Sequence, residues 1–550
     1  MVNPINILHQ FKFKLQMVNK RILFYLSMLL VLFFIVSSFI INVDEMHHNE
    51  IKNSLGKKSV TFHRNTILNQ VDYNKPVELF DQTIEKKENT AFKSAVDKRP
   101  DILFFLADDM MSIACEPYGS KDVRTPNLAQ LAKEGMCFDN MNNATAMCGP
   151  TRQSLYTGLF PVRNGSYPNH AKVYDNIVSI AQHFIGIGYR VALIGKQHYA
   201  PMDNFPFEYL GGRNSDNGDG IDINLADAEK FIKKDNSKPY LLIVATNQPH
   251  TPWNRGDKNL YDADKLSVPS FLVDTKETRS ALVRYYAEIT YADSLVGDCM
   301  KIVDKNNNKD NTLLLFASEH GSSLPFGKWT CYNMGLKAAF IARWPKVIKP
   351  STRSNILTQY IDILPTLYAA AGGDPKTLRG DIQKKLPLDG SSFLSTLNGN
   401  EKEIRNYVYG VQTTRGIANG SENYPVRSIQ DHHYKLIWNL NYKEEFLSSA
   451  SKHGSKLYES WLNEAEVSKE DYEHAKLFRN RPEFELYDIE KDRFEMKNLY
   501  GQKALNKVQE KLFTELKIWM NEQGDEGIET ELKALTRFKG DTTHWRKGGD

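Results

Sequence analysis

Five short apolar runs, separated by longer amphipathic stretches, set the strongest limit on how this chain folds. They are ILFFLA, YRVALIG, YLLIVAT, TLLLFAS and AFIARW, and they begin at residues 102, 189, 240, 312 and 339. Runs of this kind are typical of strands buried on both faces, and helical stretches between them are typical of the connections that parallel strands need. The pattern predicts an α/β fold in which a large, mostly parallel sheet is covered by helices.

Polar clusters follow four of these runs at the point where each run ends. They are Asp108-Asp109, Gly195-Lys196-Gln197-His198, Gln248-Pro249-His250 and Ser318-Glu319-His320-Gly321. In open α/β sheets, ligands bind at the carboxyl ends of the strands. We therefore expect the four clusters to converge on one crevice.

A further signal lies between the first and second runs, where Cys148-Gly149-Pro150-Thr151-Arg152 places a cysteine before a proline and an arginine. Taken alone, these residues also fit a buried or disulfide-bonded cysteine beside a proline that starts a helix. Arg152 lies one helical turn after residue 148, so a helix that begins near Pro150 would point both side chains into one crevice. The amino end of such a helix favours an anionic group.

From about residue 100 to about residue 535 the chain resembles the type I sulfatases, and most closely their sulfamidase (heparan N-sulfatase) branch. The landmarks are LADD at 106–109, CGPTR at 148–152, TG at 157–158, GKQH at 195–198, QPHTPW at 248–253, SEHG at 318–321, GKWT at 327–330 and ELYDIEKDRFEMKNL at 485–499. The stretches NGSYPNHAKVY and YPVRSIQDHHYKLIWNLNY carry the similarity to sulfamidases. The resemblance implies the alkaline-phosphatase-like sulfatase fold.

The resemblance also implies two cofactors. A maturation enzyme that reads Cys-x-Pro-x-Arg would oxidise Cys148 to Cα-formylglycine (3-oxoalanine), whose hydrate is the nucleophile in this family. The family's metal shell corresponds here to Asp108, Asp109, Cys148, Glu319 and His320. Hard oxygen ligands suit Ca²⁺ or Mg²⁺, and a shell with several carboxylates favours Ca²⁺. The family more often has Asp-Asn or Asp-His at the Glu319-His320 position, and serine where this chain has Thr151.

By the same resemblance, the catalytic residues are Cys148, Arg152, Lys196, His198, His250 and Lys328. Arg152, Lys196 and Lys328 would neutralise the sulfate oxygens. His250, with Lys328 nearby, would protonate the departing alcohol or amine, and His198 would act as the base that allows sulfate to be released. Histidine suits both tasks because its ordinary pKa lies near neutrality.

The substrate is expected to be a sulfated oligo- or polysaccharide. Asn169, His170 and Arg427 are candidate sugar contacts, whereas His432 and Trp438 fit ordinary packing equally well. Two substrates remain open, an N-sulfoglucosamine as in heparan and an O-sulfated algal polysaccharide such as ulvan. The bacterial character of the Lys-, Asn- and Ile-rich sequence and of its export signal favours the second.

The amino-terminal part indicates export. Residues 22–41 form an uncharged run of about membrane-spanning length, which follows a basic segment at 1–21 and precedes Asp44 and Glu45. The run predicts a signal anchor or, if it is cleaved, a long signal peptide. We expect the rest of the chain to face the periplasm or the cell exterior, anchored or secreted.

Changes in composition divide the remaining chain into three parts. Residues 42–98 are polar and predict a stalk, residues 99–400 predict the catalytic domain, and residues 401–550 predict a smaller α+β domain. The runs VYGVQ, VRSIQ, YKLIWNLNY and ELYDIEKD predict an antiparallel sheet in this last part, followed by a helix at about 502–521.

Charge and cysteine content exclude several classes of protein. The net charge is only +3, from 70 basic and 67 acidic residues, which argues against a nucleic-acid-binding surface. Five cysteines without a paired C-x-x-C spacing argue against a disulfide scaffold and against structural zinc.

Two other functions remain open. The first is a phosphate or phosphonate ester hydrolase of the alkaline-phosphatase superfamily, although such enzymes usually have two metals and a serine or threonine nucleophile. The second is an inactive homologue that only binds glycans. The complete set of predicted catalytic residues argues against it, because a binding scaffold has no chemical need for them.

Overall fold

A computed structural model describes residues 99–213, 222–235, 237–417, 419–451 and 455–538. All of them belong to one compact unit that begins at Thr83. The basic segment at 1–21, the run at 22–41 and the predicted stalk lie outside the described residues. Among the residues that are described, no helix is long and apolar enough to cross a bilayer. The predicted boundary near residue 400 stays a prediction.

An eight-stranded sheet forms the centre of this unit. Its strands are β1 (Asp101–Ala107), β2 (Met136–Phe138), β4 (Arg190–Gly195), β5 (Glu208–Tyr209), β6 (Tyr240–Ala245), β7 (Thr312–Ser318), β8 (Phe340–Arg343) and β9 (Thr352–Ser354). Their spatial order is β5-β4-β6-β1-β7-β8-β2-β9, and the first five of these strands run parallel. The short β3 (Met141–Asn142) and β10 (Thr358–Gln359) form a separate parallel pair.

Both faces of the sheet are covered, as the apolar runs predict. In β1, Ile102, Phe104 and Leu106 belong to one buried cluster, whereas Leu103 and Phe105 belong to the cluster on the opposite face. Successive side chains of a strand point to opposite faces, so a run without polar residues is what two buried faces require. The prediction of a mostly parallel sheet is confirmed, and the fifth run, β8, is the strand that pairs antiparallel with β7.

Thirteen α-helices lie within the described residues. They are α1 (Pro126–Glu134), α2 (Cys148–Thr157), α3 (Pro161–Asn164), α4 (Ile180–Gly186), α5 (Leu225–Lys233), α6 (Lys276–Asp304), α7 (Asn333–Leu336), α8 (Ile363–Ala370), α9 (Leu394–Leu397), α10 (Lys456–Trp461), α11 (Lys469–Arg479), α12 (Asn506–Gln523) and α13 (Ile528–Leu532). The helix predicted near 502–521 corresponds to α12, which ends before Gly524 in the left-handed conformation that glycine adopts most readily.

A second sheet follows the large one in the chain. It contains β11 (Val408–Gln412), β12 (Val426–Gln430), β13 (Tyr434–Asn439) and β14 (Phe484–Asp488), paired antiparallel in that order. Apolar residues of all four strands form a buried cluster with Leu512 and Leu516 of α12. The antiparallel α+β arrangement predicted after residue 400 is therefore confirmed.

Candidate active site

Three backbone hydrogen bonds bring the ends of four strands to the same edge of the large sheet. The amide of Asp108 donates to the carbonyl of Gln248 at 3.0 Å, and the amide of Glu319 donates to the carbonyl of Ala107 at 2.7 Å. The amide of Lys196 donates to the carbonyl of Ala245 at 2.8 Å. Because these bonds continue the ladder beyond the strands, the polar clusters that follow β1, β4, β6 and β7 converge, as the sequence predicts.

Five buried side chains meet at this edge. One ligand atom from each lies within 4.8 Å of all the others, and the residues are Asp108, Asp109, Cys148, Glu319 and His320. The thiol of Cys148 lies 3.6 Å from Oδ1 of Asp108 and 3.8 Å from Oδ1 of Asp109. These are the five residues that the sequence suggests as a metal shell.

The donor set of this cluster fits a hard divalent cation. Oε2 of Glu319 and Nε2 of His320 are buried without a hydrogen-bond partner among the described residues. The two atoms lie 3.9 Å from each other, and buried polar atoms of native proteins almost always have a partner, so a bound cation would satisfy both. Carboxylate oxygens dominate the set, which is the preference of Ca²⁺ and Mg²⁺.

Helix α2 presents Cys148 to the cluster from its first turn. The helix begins directly at Cys148, two residues before Pro150, and all ten of its residues are buried. At Gly149 a Cβ atom would lie 3.3 Å from Oδ1 of Asn169 and from Nε2 of His198, so a side chain there would crowd both residues. The small residue lets these polar groups approach the start of the helix.

Three buried cations balance the three carboxylates. Nε of Arg152 lies 2.6 Å from Oε1 of Glu319, and Nζ of Lys196 lies 2.5 Å from Oδ2 of Asp108. Nζ of Lys328 lies 2.9 Å from Oδ1 of Asp109. Low-dielectric surroundings strengthen these attractions and hold the charged groups in place.

The pKa values of the carboxyl groups separate within the cluster. Burial raises the pKa of Glu319 well above its ordinary value, although Arg152 opposes the shift, and the neighbouring Asp108 adds to it. Burial also acts on Asp108, but Lys196 and other cationic neighbours outweigh it and bring the pKa of Asp108 well below its ordinary value. Glu319 is therefore the carboxyl group whose charged form most needs an added cation.

His250 lies on the open side of the cluster. Its Nε2 is 3.6 Å from Oδ2 of Asp109, and 30% of its side chain is exposed. Its Nδ1 lies 2.6 Å from the carbonyl of Thr251, which can only accept, so Nδ1 carries the proton and Nε2 is free to exchange one. Burial lowers the pKa of His250 despite the attraction of Asp109.

Hydrogen bonds to Asp222 fix the loop that carries His250. Its Oδ2 accepts from the hydroxyl of Thr246 at 2.6 Å and from the amide of Asn247 at 2.9 Å, and its Oδ1 accepts from Nδ2 of Asn247 at 2.7 Å. This support was not predicted, because the contact joins positions about 25 residues apart without a local motif.

His198 and His170 form a pair beside the start of α2. Nε2 of His198 lies 3.0 Å from Nδ1 of His170, and both residues have positive φ angles, 48° and 61°. Burial lowers the pKa of His198 well below its ordinary value, and His170 and Lys196 lower it further. His198 is thus neutral near pH 7 and can accept a proton.

Asn169 and Arg427, two of the candidate sugar contacts, occupy very different places. Asn169 lies beside α2, where its Oδ1 accepts from the amide of Gly149 at 3.3 Å. Arg427 is fully buried in β12, and its guanidinium forms a bidentate pair with Asp525. A side chain without exposed atoms cannot reach a sugar, so the substrate-binding role expected for Arg427 is corrected to a structural one.

Tyr285 is a further residue of the site that the sequence did not suggest. Its hydroxyl donates to the carbonyl of Asp109 at 2.8 Å and accepts from the amide of Met111 at 2.8 Å. It thereby holds the turn after β1, where Asp109 has a φ of 54°. Tyr285 stands in the middle of α6, where its apolar neighbours and helical spacing indicate only packing.

Comparisons with known proteins agree with this geometry. A family model described as "Sulfatase" matches residues 100–373. The chain is 34% identical over 438 residues to an "Ulvan-active sulfatase" of Formosa agariphila, covering 78% of this chain and 82% of that protein. It is 25% identical over 472 residues to the human "N-sulphoglucosamine sulphohydrolase", covering 77% of this chain and 90% of that protein.

Solved structures share the fold at lower identity. A protein in complex with its substrate D-glucosamine-2-N,6-O-disulfate superposes with a TM-score of 0.60 at 19% identity, covering 78% of this chain and 99% of the other. A phosphonate monoester hydrolase of Agrobacterium radiobacter gives a TM-score of 0.57 at 16% identity, covering 77% of this chain and 96% of the other. Because one fold supports both reactions, the site has to decide the chemistry.

Proposed function

This chain belongs to the sulfatase family, and on that premise we propose that it removes sulfate groups from a sulfated carbohydrate at the cluster around Cys148. One observation carries the proposal: the cysteine of the Cys-x-Pro-x-Arg signal shares a buried cluster with three carboxylates and an imidazole. A structural cysteine has no need of such neighbours, whereas hydrolysis of a sulfate ester needs a nucleophile, a cation and fixed positive charge.

Two groups would be added to the chain. A formylglycine-generating enzyme would convert Cys148, and a divalent cation, Ca²⁺ in preference to Mg²⁺, would be held by Asp108, Asp109, Glu319 and His320 together with residue 148. When present, the hydrated aldehyde supplies the nucleophile, and the cation lowers its pKa and draws charge from a sulfate oxygen.

Arg152, Lys196 and Lys328 bind and orient the sulfate group. All three are buried and already fixed by carboxylates, so little reorganisation is needed when an anionic group arrives. Positive groups that are fixed in advance in a water-poor site stabilise developing negative charge strongly.

The two histidines serve opposite proton transfers. His250 is partly exposed and keeps Nε2 available to take up a proton, which suits a group that then delivers this proton to the oxygen or nitrogen leaving toward solvent. His198 is neutral, because its pKa is depressed by burial and by His170, and it therefore suits the base that removes a proton when sulfate is released.

The preferred substrate is an O-sulfated algal polysaccharide of the ulvan type. The relative of 34% identity is named for activity on ulvan, and the relative of 25% identity is named for N-sulphoglucosamine, so a heparan-type N-sulfate is the second candidate. Incubation with defined ulvan and heparan oligosaccharides, followed by ion chromatography of inorganic sulfate, distinguishes the two. Hydrolysis of a phosphate or phosphonate ester assayed in parallel, with no sulfate released from either oligosaccharide, would contradict the proposal.

Maturation of Cys148 is tested on the protein itself. Mass spectrometry of the tryptic peptide that contains residue 148 should find a product about 18 Da lighter, because sulfur and two hydrogens are exchanged for one oxygen. The protein has to come from a host that matures sulfatases. An unmodified peptide from such a host would favour a role limited to glycan binding.

We also propose that the run at residues 22–41 directs export and anchors the catalytic part outside the cytoplasm. Alkaline carbonate extraction of membranes should leave an anchored chain in the pellet, and sequencing the amino terminus should reveal cleavage if the chain is released instead. Recovery of full-length protein from the cytosol would contradict export.

A further inference from the structure

A cavity of about 400 Å³ is lined by Trp253, Leu324, Ser449 and several residues of α6. One wall is Trp253, whose Nε1 donates to the carbonyl of Pro249 at 2.8 Å, next to His250. The ring of Trp253 lies 5.1 Å from that of Tyr285, whose hydroxyl donates to the carbonyl of Asp109 at 2.8 Å. This wall is therefore fixed to the loop of His250 and to the cluster.

The opposite wall is fixed to the loop of Lys328. It includes Ser449, whose hydroxyl accepts from Nε1 of Trp329 at 3.1 Å, and Nζ of Lys328 lies 4.9 Å from the centre of the Trp329 ring. Leu324 also lines this side, two residues after Ser322, whose carbonyl accepts from the amide of Lys328 at 2.6 Å. The cavity thus lies between loops that carry two of the catalytic side chains proposed above.

A cationic ridge borders the cavity on α6. Lys276, Ser280 and Arg284 are exposed, and their spacing of four residues places them on one face of the helix. The same three residues also line a second cavity of about 690 Å³, so the ridge separates two depressions. Within the described part of the chain neither Lys276 nor Arg284 forms an ion pair, and Nη1 of Arg284 donates only to the hydroxyl of Ser280 at 3.1 Å.

Carboxylates are few along this ridge. Glu277 is the acidic residue that lines the first cavity. In the second, Asp264 lies near the ridge and Asp274 is already paired with Arg279 at 2.7 Å. The ridge therefore offers positive charge to a molecule bound in either cavity.

We propose that the cavity and the ridge bind the anionic sugars that adjoin the residue undergoing desulfation in a sulfated polysaccharide. Trp253 presents an aromatic face to a sugar ring, and Lys276 and Arg284 meet the carboxylates or sulfates of the following units. The volume of the first cavity suits one sugar unit of the polysaccharide, since binding cavities usually measure a few hundred cubic ångströms or more. This inference rests on the proposed function and adds a preference for longer substrates.

Binding measured without turnover separates this inference from catalysis. The Cys148→Ala protein is titrated by calorimetry with sulfated di- and tetrasaccharides from ulvan and, in a second arm, from heparan. The test variant adds Lys276→Ser and Arg284→Ser. The matched control adds Lys301→Ser and Lys305→Ser, which remove two exposed lysines at the far end of the same helix, one in its last turn and one directly after it.

We expect the test variant to lose affinity, and to lose more of it for the longer oligosaccharide. For the tetrasaccharide, Kd rises about tenfold in the test variant at low salt and the increase shrinks as salt is added, because exposed charges are screened. In the test variant the ratio of the tetrasaccharide Kd to the disaccharide Kd also rises. The control variant keeps the ratio of the Cys148→Ala parent. Arg284→Glu, which reverses the charge, should raise the tetrasaccharide Kd further.

Two results would overturn the inference. One is a test variant that binds the tetrasaccharide as tightly as the control does, and the other is a parent protein that binds both lengths equally. Sulfate release by the unsubstituted enzyme is measured in parallel. If no sulfate is released but the ridge still determines tetrasaccharide affinity, the proposed function fails and the polysaccharide-binding site remains.

Discussion

Two buried glutamates, Glu319 at the end of β7 and Glu485 in β14, are both fully shielded from solvent and yet have opposite environments. Glu485 has a partner for each oxygen: Nδ2 of Asn439 donates to Oε1 at 2.7 Å, and the hydroxyls of Tyr332 and Tyr487 donate to Oε2 at 2.7 and 2.5 Å. Arg152 lies beside Oε1 of Glu319, whereas Oε2 lies 3.9 Å from Nε2 of His320 and has no hydrogen-bond partner among the described residues.

The difference separates a structural carboxylate from one that is prepared for a ligand. A buried polar atom without a partner costs about 1–3 kcal/mol, so a fold keeps one only where something else compensates. The network of Glu485 is complete and stabilises the second sheet. We expect a bound cation to complete the environment of Glu319, and the following predictions test that contrast.

The largest expected effect is on activity, from Cys148→Ala. The nearest polar contacts of the thiol are 3.6 and 3.8 Å away, so its removal costs little stability, whereas sulfate release should fall about 10³-fold or more because the proposed nucleophile is lost. Ion chromatography of sulfate and thermal unfolding measure the two quantities. Cys299→Ala, at another buried cysteine, is the control and should keep its activity.

Glu319→Gln should have the next largest effect, through the cation. Calcium added after chelation should stabilise the unsubstituted protein, by about 2.7 kcal/mol at a hundredfold excess over Kd, because it binds only the folded state. Glu319→Gln should lose this stabilisation and about 10²-fold of the activity, as expected for a change in a metal shell. If Glu319→Gln keeps the calcium-dependent rise in Tm, Glu319 does not bind the cation.

Glu485→Gln should give the reverse pattern. One of the two carboxylate oxygens becomes an amide NH₂ that can only donate, so either Asn439 or the two tyrosine hydroxyls lose their acceptor, and the free energy of unfolding should fall by about 1–3 kcal/mol. Its calcium-dependent rise in Tm and its activity per folded molecule should remain. Denaturant unfolding followed by tryptophan fluorescence measures the loss of stability. If Glu485→Gln also loses the calcium-dependent rise in Tm, the two glutamates do not differ in the way proposed.

His170→Gln should produce the smallest effect, a shift in pH dependence. Burial, and after it His170, hold the pKa of His198 below its ordinary value, so without the second imidazole that pKa should rise. A base has to be neutral to act, so the acid limb of kcat/KM should move to higher pH, by less than about one unit. His432→Gln, at an exposed pair with Glu403, is the control and should leave the pH profile of kcat/KM unchanged. An acid limb that moves to lower pH in His170→Gln would contradict the assignment of His198 as the base.

The large sheet and the cluster could be predicted because both depend on local patterns. A strand buried on both faces leaves an apolar run, and its polar residues can only appear where it ends, as at Asp108 and Glu319. Arg427 could not be placed in the same way. Its partner Asp525 lies 98 residues later, and only the folded chain reveals that the pair is buried.

Tyr285 and Asp222 were missed for a related reason. Each supports the site through hydrogen bonds to the backbone of a distant loop, and such bonds leave no residue pattern at either position. The cavity beside Trp253 likewise arises from loops that are far apart in the chain. Sequence patterns therefore indicated which side chains meet in the cluster but not the residues that hold them in position.

The burial of α2 has a consequence for biosynthesis. Cys148 is only 2% exposed, and every residue of its helix is buried. An enzyme therefore cannot bind this segment once the protein has folded. If residue 148 is oxidised as proposed, the oxidation has to take place while the segment is still extended, before the sheet assembles around it. The timing of folding relative to maturation would then determine what fraction of molecules ever becomes active, and no later repair could rescue the remainder.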